Sequence, residues 1–150
     1  MPMPSTHTCL LYHLVFATKD REPSITAARR ARLHEYLGGA VRGLGGVPQG
    51  VGGVADHVHL LVSLKATHCL ADFMRELKKA SSVWIAETLE IRSFAWQEGY
   101  AAFTVSAPAK AAVQDYIARQ EEHHQRKSFR EELIEFLQKS GIEYDERYLD

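Results

Sequence analysis

Cysteine is scarce in this chain, with only Cys9 and Cys69 among 150 residues. The two fall in no paired-ligand spacing, so they read as free thiols rather than as a disulfide or a thiolate metal site. Long apolar runs are missing too; none approaches the roughly 18 residues needed to span a bilayer. Met1–Thr8 is polar and proline-bearing, with no charged region followed by a greasy one. It reads as a short leader into the first strand, and the expected location is cytoplasmic. An excess of positive charge is also lacking, since the formal net charge is −1 with histidines neutral. Proteins that track phosphates are usually basic overall. The balance excludes a uniformly basic surface but permits a basic face, because the signs are segregated. Acids gather after Gln120, at Glu121, Glu122, Glu131, Glu132, Glu135, Glu143, Asp145, Glu146 and Asp150. Bases concentrate earlier, at Arg29, Arg30, Arg32, Arg75, Lys78 and Lys79.

What is present is an ordinary globular mixture, 45% apolar and 25% charged, enough to pack one domain. Thr8–Thr18 is short and rich in aromatic and β-branched residues, which predicts a buried strand. Thr26 can cap a helix to Leu44, with Leu33, Leu37, Ala40, Val41 and Leu44 at helical spacing. Gly43, Gly45 and Gly46 end it. Val47–Val54 and His57–Leu64 predict two strands joined around Ala55 and Asp56. A second helix runs from Leu70 toward Leu89, with Leu70, Phe73, Met74, Leu77 and Trp84 on its apolar side. Phe94–Val105 reads as a strand broken around Gln97–Gly99. Pro108 is placed to open a third helix reaching His124, and Phe129–Ser140 is a fourth, stopped by Gly141. The order predicts an α+β fold: a ferredoxin-like antiparallel sheet with helices on one face plus appended C-terminal helices. One domain is expected over 1–150, its core over about 8–127 and a C-terminal helix and tail over about 128–150.

His57-Val58-His59 lies within a predicted strand, where alternate side chains share a face. One face then carries two imidazoles, and Val58 and Leu60 keep the other apolar. Neutral imidazole is a good ligand for several first-row divalent ions, although an H-x-H pair also fits a solvated sheet face. Asp56, immediately before, can orient an imidazole or simply serve the turn. On the Pro108 helix, Tyr116 and Gln120 stand one turn apart on one face, beside the apolar stripe of Ala109, Ala112, Val113 and Ile117. By position alone Tyr116 equally suits a half-buried packing role. The run Glu121-Glu122-His123-His124 makes no chelating face on a regular helix, because adjacent residues point about 100 degrees apart. It reads as a solvated helix end.

Together these segments resemble the single-tyrosine HUH transposases, which include small insertion-sequence transposases and the REP-associated tyrosine transposases. The resemblance covers most of the chain. It runs through YHLVFATKDREPSI (Tyr12–Ile25), ADHVHLLVSL (Ala55–Leu64), LKKASSVWI (Leu77–Ile85) and WQEGYAAFTVS (Trp96–Ser106). YIARQEEHH (Tyr116–His124) and the EYDERYL tail (Glu143–Leu149) complete it. The resemblance implies that His57 and His59 bind a divalent metal, Mg²⁺ or Mn²⁺, that Gln120 completes the site and that Tyr116 is the nucleophile. It further implies a homodimer in which the tyrosine helix can pack against the partner's histidine pair.

The implied activity is cutting and rejoining of single-stranded DNA through a 5′-phosphotyrosine link, with an imperfect hairpin recognised near the cut. No membrane partner is expected. Arg75, Lys78, Lys79 and Ser81 are one candidate phosphate-holding group, and Arg29, Arg30 and Arg32 a second. Two other readings remain open at this point. One is a DNA-hairpin-binding regulator derived from a transposase that no longer cuts. The other is a metal-dependent phosphodiesterase using water instead of Tyr116. The sequence identifies no proton acceptor for the phenol.

Overall fold

Alternation decides which way the first strand faces. In β1 (Leu11–Ala17), Leu14 and Phe16 point to one side while His13, Val15 and Ala17 point to the other. The computed structural model describes residues 5–149; Met1–Pro4 of the leader and Asp150 of the acidic tail lie outside the described residues. β2 (Val47–Gly53) and β3 (His57–Ser63) form the expected hairpin, and β4 is Ala101–Val105. The sheet order is β2-β3-β1-β4, with every neighbouring pair antiparallel. His59 lies opposite Val15, and His57 opposite Ala17. The histidine strand is therefore an inner strand.

One face carries α1 (Ala27–Gly43) and α2 (Leu70–Thr88). Leu33, Leu37 and Val41 of α1 and Phe73, Met74, Leu77 and Ile85 of α2 pack with Leu14, Phe16, Val58, Leu60 and Val62. This is the main core, where each fully buried large aliphatic side chain contributes roughly 1.5–3 kcal/mol. The appended helices are α3 (Lys110–Ala118), the short α4 (Gln120–His123) and α5 (Phe129–Lys139), and they cover the opposite face. Ile117 packs on Leu11 and Leu61, while Phe129, Leu133 and Leu137 pack on Val15, Ala17 and Phe103. The imidazole face of the sheet is roofed. No helix among the described residues is long and apolar enough to cross a membrane.

Two expectations change in detail. The Pro108 helix does not run unbroken to His124: a 3₁₀ turn, Ala107–Ala109, precedes α3, and Arg119 leaves helical geometry at φ −104° and ψ 26°. Just before this break α3 lies directly on β2, so that a Cβ on Gly52 would stand 2.2 Å from the Ile117 carbonyl oxygen. Past it, Gln120 is turned under and only 1% exposed. Phe94–Gln97 is also not a strand, pairing only through an isolated Thr18–Trp96 bridge. Packing explains this. Trp96 stands edge-on to Phe16 and Phe94, and its indole N–H donates to Ser81 Oγ at 3.0 Å.

Candidate metal centre and tyrosine site

His57 and His59 are both fully buried, side by side on β3, and each has its outer ring nitrogen engaged. His57 Nδ1–H donates to the Asp56 carboxylate at 2.7 Å. Burial pushes the Asp56 carboxyl up, but the His57 hydrogen bond and charge outweigh it and hold the group below its usual range. His59 Nδ1 lies 2.8 Å from His13 Nε2. Burial pushes His13 down to about 3 and His59 down to about 4, so both rings are neutral near pH 7. Partners of this kind fix the ring orientation of metal-binding imidazoles and raise their basicity.

Their Nε2 atoms face inward, where the appended helices meet them. His57 Nε2 is 3.0 Å from His124 Nε2, 3.4 Å from Gln120 Oε1 and 3.7 Å from Glu132 Oε1. His59 Nε2 is 3.0 Å from Glu132 Oε1. Gln120 Nε2 donates to the Tyr116 carbonyl at 3.2 Å, which turns Gln120 Oε1 into the cluster. His57, His59, His124 and Glu132 present ligand atoms all within 4.8 Å of one another, a group that could hold a metal ion. The donor chemistry fits a divalent cation. Three imidazoles, a carboxylate and an amide oxygen converge on one point, and once any Nε2 protons are displaced they can share one cation.

Tyr116 stands beside this group, its ring centroid 5.8 Å from that of His59. The phenol donates to Glu132 Oε2 and lies 3.2 Å from His123 Nε2. Burial, reinforced by the neighbouring Glu132 carboxylate, raises the phenol pKa well above its ordinary value. Burial also opposes ionisation of Glu132, yet hydrogen bonds from His124 and His59 overcome it and hold the carboxyl low. The pair is therefore a neutral phenol on an ionised carboxylate.

All four expected residues, His57, His59, Tyr116 and Gln120, meet within a single chain. Four participants escaped the sequence reading, His13 on β1 among them. His123 and His124 are not a solvated helix end, because the break at Arg119 redirects the run and puts both rings against Glu132, at 3.2 and 3.3 Å. Glu132 read as one acid among many in the acidic C-terminal region, yet it is only 2% exposed. Its position on α5, between the apolar Phe129 and Leu133, was the one available signal.

The expected phosphate-holding groups fare unevenly. Ser81 needs correction: it is fully buried, its hydroxyl donating to the Leu77 carbonyl at 2.8 Å and accepting from Trp96. Lys78 is tied to the Gln97 and Gly99 carbonyls at 2.7 and 2.6 Å. Arg75 pairs with Asp72 and Glu76 on an exposed face, where Lys79 is also exposed. On α1, Arg32 is exposed, Arg29 is partly exposed and Arg30 pairs with Glu121. Arg30 borders a cavity of about 550 Å³ that is also lined by His34, Gly52, Gln120 and Gln125. Of the α1 group, only Arg30 lines this cavity, which reaches the candidate metal site through Gln120.

A four-stranded antiparallel sheet with paired histidines on an inner strand and a tyrosine helix laid across them defines the single-tyrosine HUH transposase class. The family described as "Transposase IS200 like" matches residues 6–120 of this chain. The chain belongs to that transposase family, a family of DNA-processing enzymes. It is 29% identical over 115 residues to the transposase of insertion sequence element IS200 from Salmonella typhimurium, covering 73% of this chain and 75% of that one. It is 31% identical over 117 residues to the ISDra2 transposase TnpA of Deinococcus radiodurans, covering 74% and 84%. Among solved structures, a candidate transposase from Deinococcus radiodurans superposes with a TM-score of 0.64 at 26% identity, covering 80% of this chain and 97% of the other. A REP-associated tyrosine transposase bound to a REP hairpin shares the fold, with a TM-score of 0.59 at 12% identity over 83% and 74% of the two chains.

Proposed function

We propose that this transposase is a metal-dependent endonuclease and strand transferase for single-stranded DNA, with Tyr116 as nucleophile. One observation carries the reading: the Tyr116 hydroxyl and the β3 histidines share a buried carboxylate, Glu132, within one chain. His57, His59 and Gln120 would hold Mg²⁺ or Mn²⁺. Bound there, such an ion supplies Lewis-acid stabilisation of charge at the scissile phosphate.

The chain's own groups do the rest. Tyr116 Oη attacks phosphorus and forms a P–O bond, while the bond to the 3′ oxygen breaks in line. As the phenol attacks, its proton leaves to water along its contacts with Glu132 Oε2 and His123 Nε2, and the departing 3′ oxygen takes a proton from water. The resulting 5′-phosphotyrosine link keeps the phosphoester energy, so a second 3′-hydroxyl can reverse the attack and rejoin strands. Asp56 and His13 keep the imidazoles aimed. Arg30, with Arg29 and Arg32, offers the nearer path for DNA phosphates, and an imperfect hairpin is the proposed substrate. A homodimer would not be needed to complete this site.

The test is incubation with labelled single-stranded hairpin DNA and Mn²⁺, resolved on denaturing gels. Wild type should yield a covalent protein–DNA adduct, and Tyr116→Phe none. Hydrolysis that survives Tyr116→Phe without an adduct would assign the reaction to water. Tight hairpin binding with no cut under any divalent ion would leave a non-cleaving regulator.

A further inference from the structure

Two imidazoles in the cluster have their protons fixed by chemistry. His124 Nδ1 lies 2.7 Å from the Lys127 carbonyl oxygen, which can only accept, so this nitrogen carries the hydrogen. His57 Nδ1 likewise donates to the Asp56 carboxylate. His57 Nε2 is therefore left with a lone pair that faces His124 Nε2 across 3.0 Å, a gap bridged either by a proton on His124 Nε2 or by a cation. Gln120 Oε1, another acceptor, stands 2.9 Å from His124 Nε2, and Glu132 Oε2 stands 3.3 Å from it. A proton on His124 Nε2 can hold these atoms together in the metal-free protein, and a metal ion that displaces that proton would find all of them converging on it. His124 and Glu132 belong to the same point in space as the β3 pair, although neither lies in the H-x-H motif or the tyrosine helix.

We infer that His124 and Glu132 are ligands of the same ion as His57 and His59, so that the bound metal clips α5 to the catalytic sheet. The inference rests on the metal reading proposed above and adds two ligands from the C-terminal side. A spread of 4.8 Å closes onto one ion with bonds of roughly 2.1 Å through small side-chain rotations. Three imidazole nitrogens with one carboxylate oxygen suit Mn²⁺, Co²⁺ or Zn²⁺; Mg²⁺ prefers an all-oxygen, largely hydrated shell. Glu132 Oε1 faces the histidines and Oε2 faces the phenol, so a ligated Glu132 also ties metal occupancy to the position of Tyr116.

The full chain should be titrated with Co²⁺, following visible d–d absorption, and trypsin cleavage after the exposed Arg126 should be timed with and without metal. Wild type should bind Co²⁺ with a four-ligand spectrum, and the ion should slow cleavage ahead of α5. Glu132→Gln and His124→Asn should each weaken binding at least about tenfold and lose the protection, while Lys139→Gln, at the exposed end of α5, should keep both. Should Glu132→Gln fail to fold by circular dichroism, Glu132→Asp and His124→Asn carry the test. Wild-type affinity and protection in the Glu132 and His124 variants would overturn the inference. If His57→Ala alone weakens binding, the metal reading survives without its C-terminal ligands. If His57→Ala also binds like wild type, both fall.

Discussion

The hydroxyl of Tyr116 donates its hydrogen bond to a carboxylate sixteen residues further on, Glu132, and both belong to the same chain. The contact joins α3 to α5 over the sheet, and it makes the phenol a group held in place rather than free at a surface. Removing only the hydroxyl keeps the aromatic packing against His59 and Phe136. Tyr116→Phe should therefore fold with a stability loss of about 1 kcal/mol and bind metal as wild type does. Urea denaturation and Mn²⁺ calorimetry check this; a large loss of stability or of metal binding would make Tyr116 a structural residue.

The imidazoles' outer partners should matter almost as much as ligands. Asp56→Asn and His13→Ala leave every inward-facing atom in place, yet each should lower metal affinity about 10- to 100-fold. Calorimetric titration with Mn²⁺ reads this directly. Undiminished affinity in both variants would show that the rings need no help in holding their orientation.

Gly52 is where α3 touches the sheet, with no room for a β-carbon beside the Ile117 carbonyl. Gly52→Ala should push α3 away from β2 and cost about 1–3 kcal/mol. Because Tyr116 and Gln120 ride on that helix end, a displacement near 1 Å should also cut adduct formation on the order of 100-fold. A parallel measurement of melting temperature and adduct yield separates this from simple unfolding, since activity should be lost even at temperatures where the variant is folded.

Acid should loosen the metal-free protein. His13 is lowered to about 3, and His34 and His59 to about 4, in each case mainly by burial. The unfolded chain protonates these rings near 6.5, so it takes up protons that the folded chain refuses as pH falls from about 6.5 toward 4. The stability they contribute is complete above that window and is lost on descending through it. His124, raised by Glu132 against its own burial, runs the opposite way and offsets part of the loss. The melting temperature of chelator-treated protein should fall from pH 7 to pH 5, less steeply in His34→Gln. A flat profile would contradict the neutral burial of these rings.

Because His57, His59, Tyr116 and Gln120 meet within one chain, two crippled chains should not rescue each other. Tyr116→Phe mixed with a His57→Ala/His59→Ala double variant should give no more adduct than either alone. Recovery approaching a quarter or more of wild-type yield, on the order expected for random pairing of complementary subunits, would instead place the tyrosine in trans.

Much of this was legible along the chain because period-two and helical patterns are local. The alternation in Val58, Leu60 and Val62 put His57 and His59 on one face, and Tyr116 with Gln120 followed from a single helical turn. The run from Glu121 to His124 escapes local reasoning because the helix breaks at Arg119, which no residue pattern there announces. Ser81 was misread because its place in a basic stretch said nothing of Trp96, whose indole it satisfies.

The order of elements, the histidine face and the turn that sets Tyr116 beside Gln120 were determined by the sequence itself, since each depends on neighbours a few residues apart. The pairing of β1 with β3 and β4, in contrast, joins distant segments. Glu132, His124 and His13 were decided only when the chain closed on itself. Their roles come from α5 packing its apolar side on Val15, Ala17 and Phe103, which carries one acid into a pocket of nitrogens. Locally only its place between Phe129 and Leu133 sets that glutamate apart from its solvated neighbours; burial against a distant strand gives it its role.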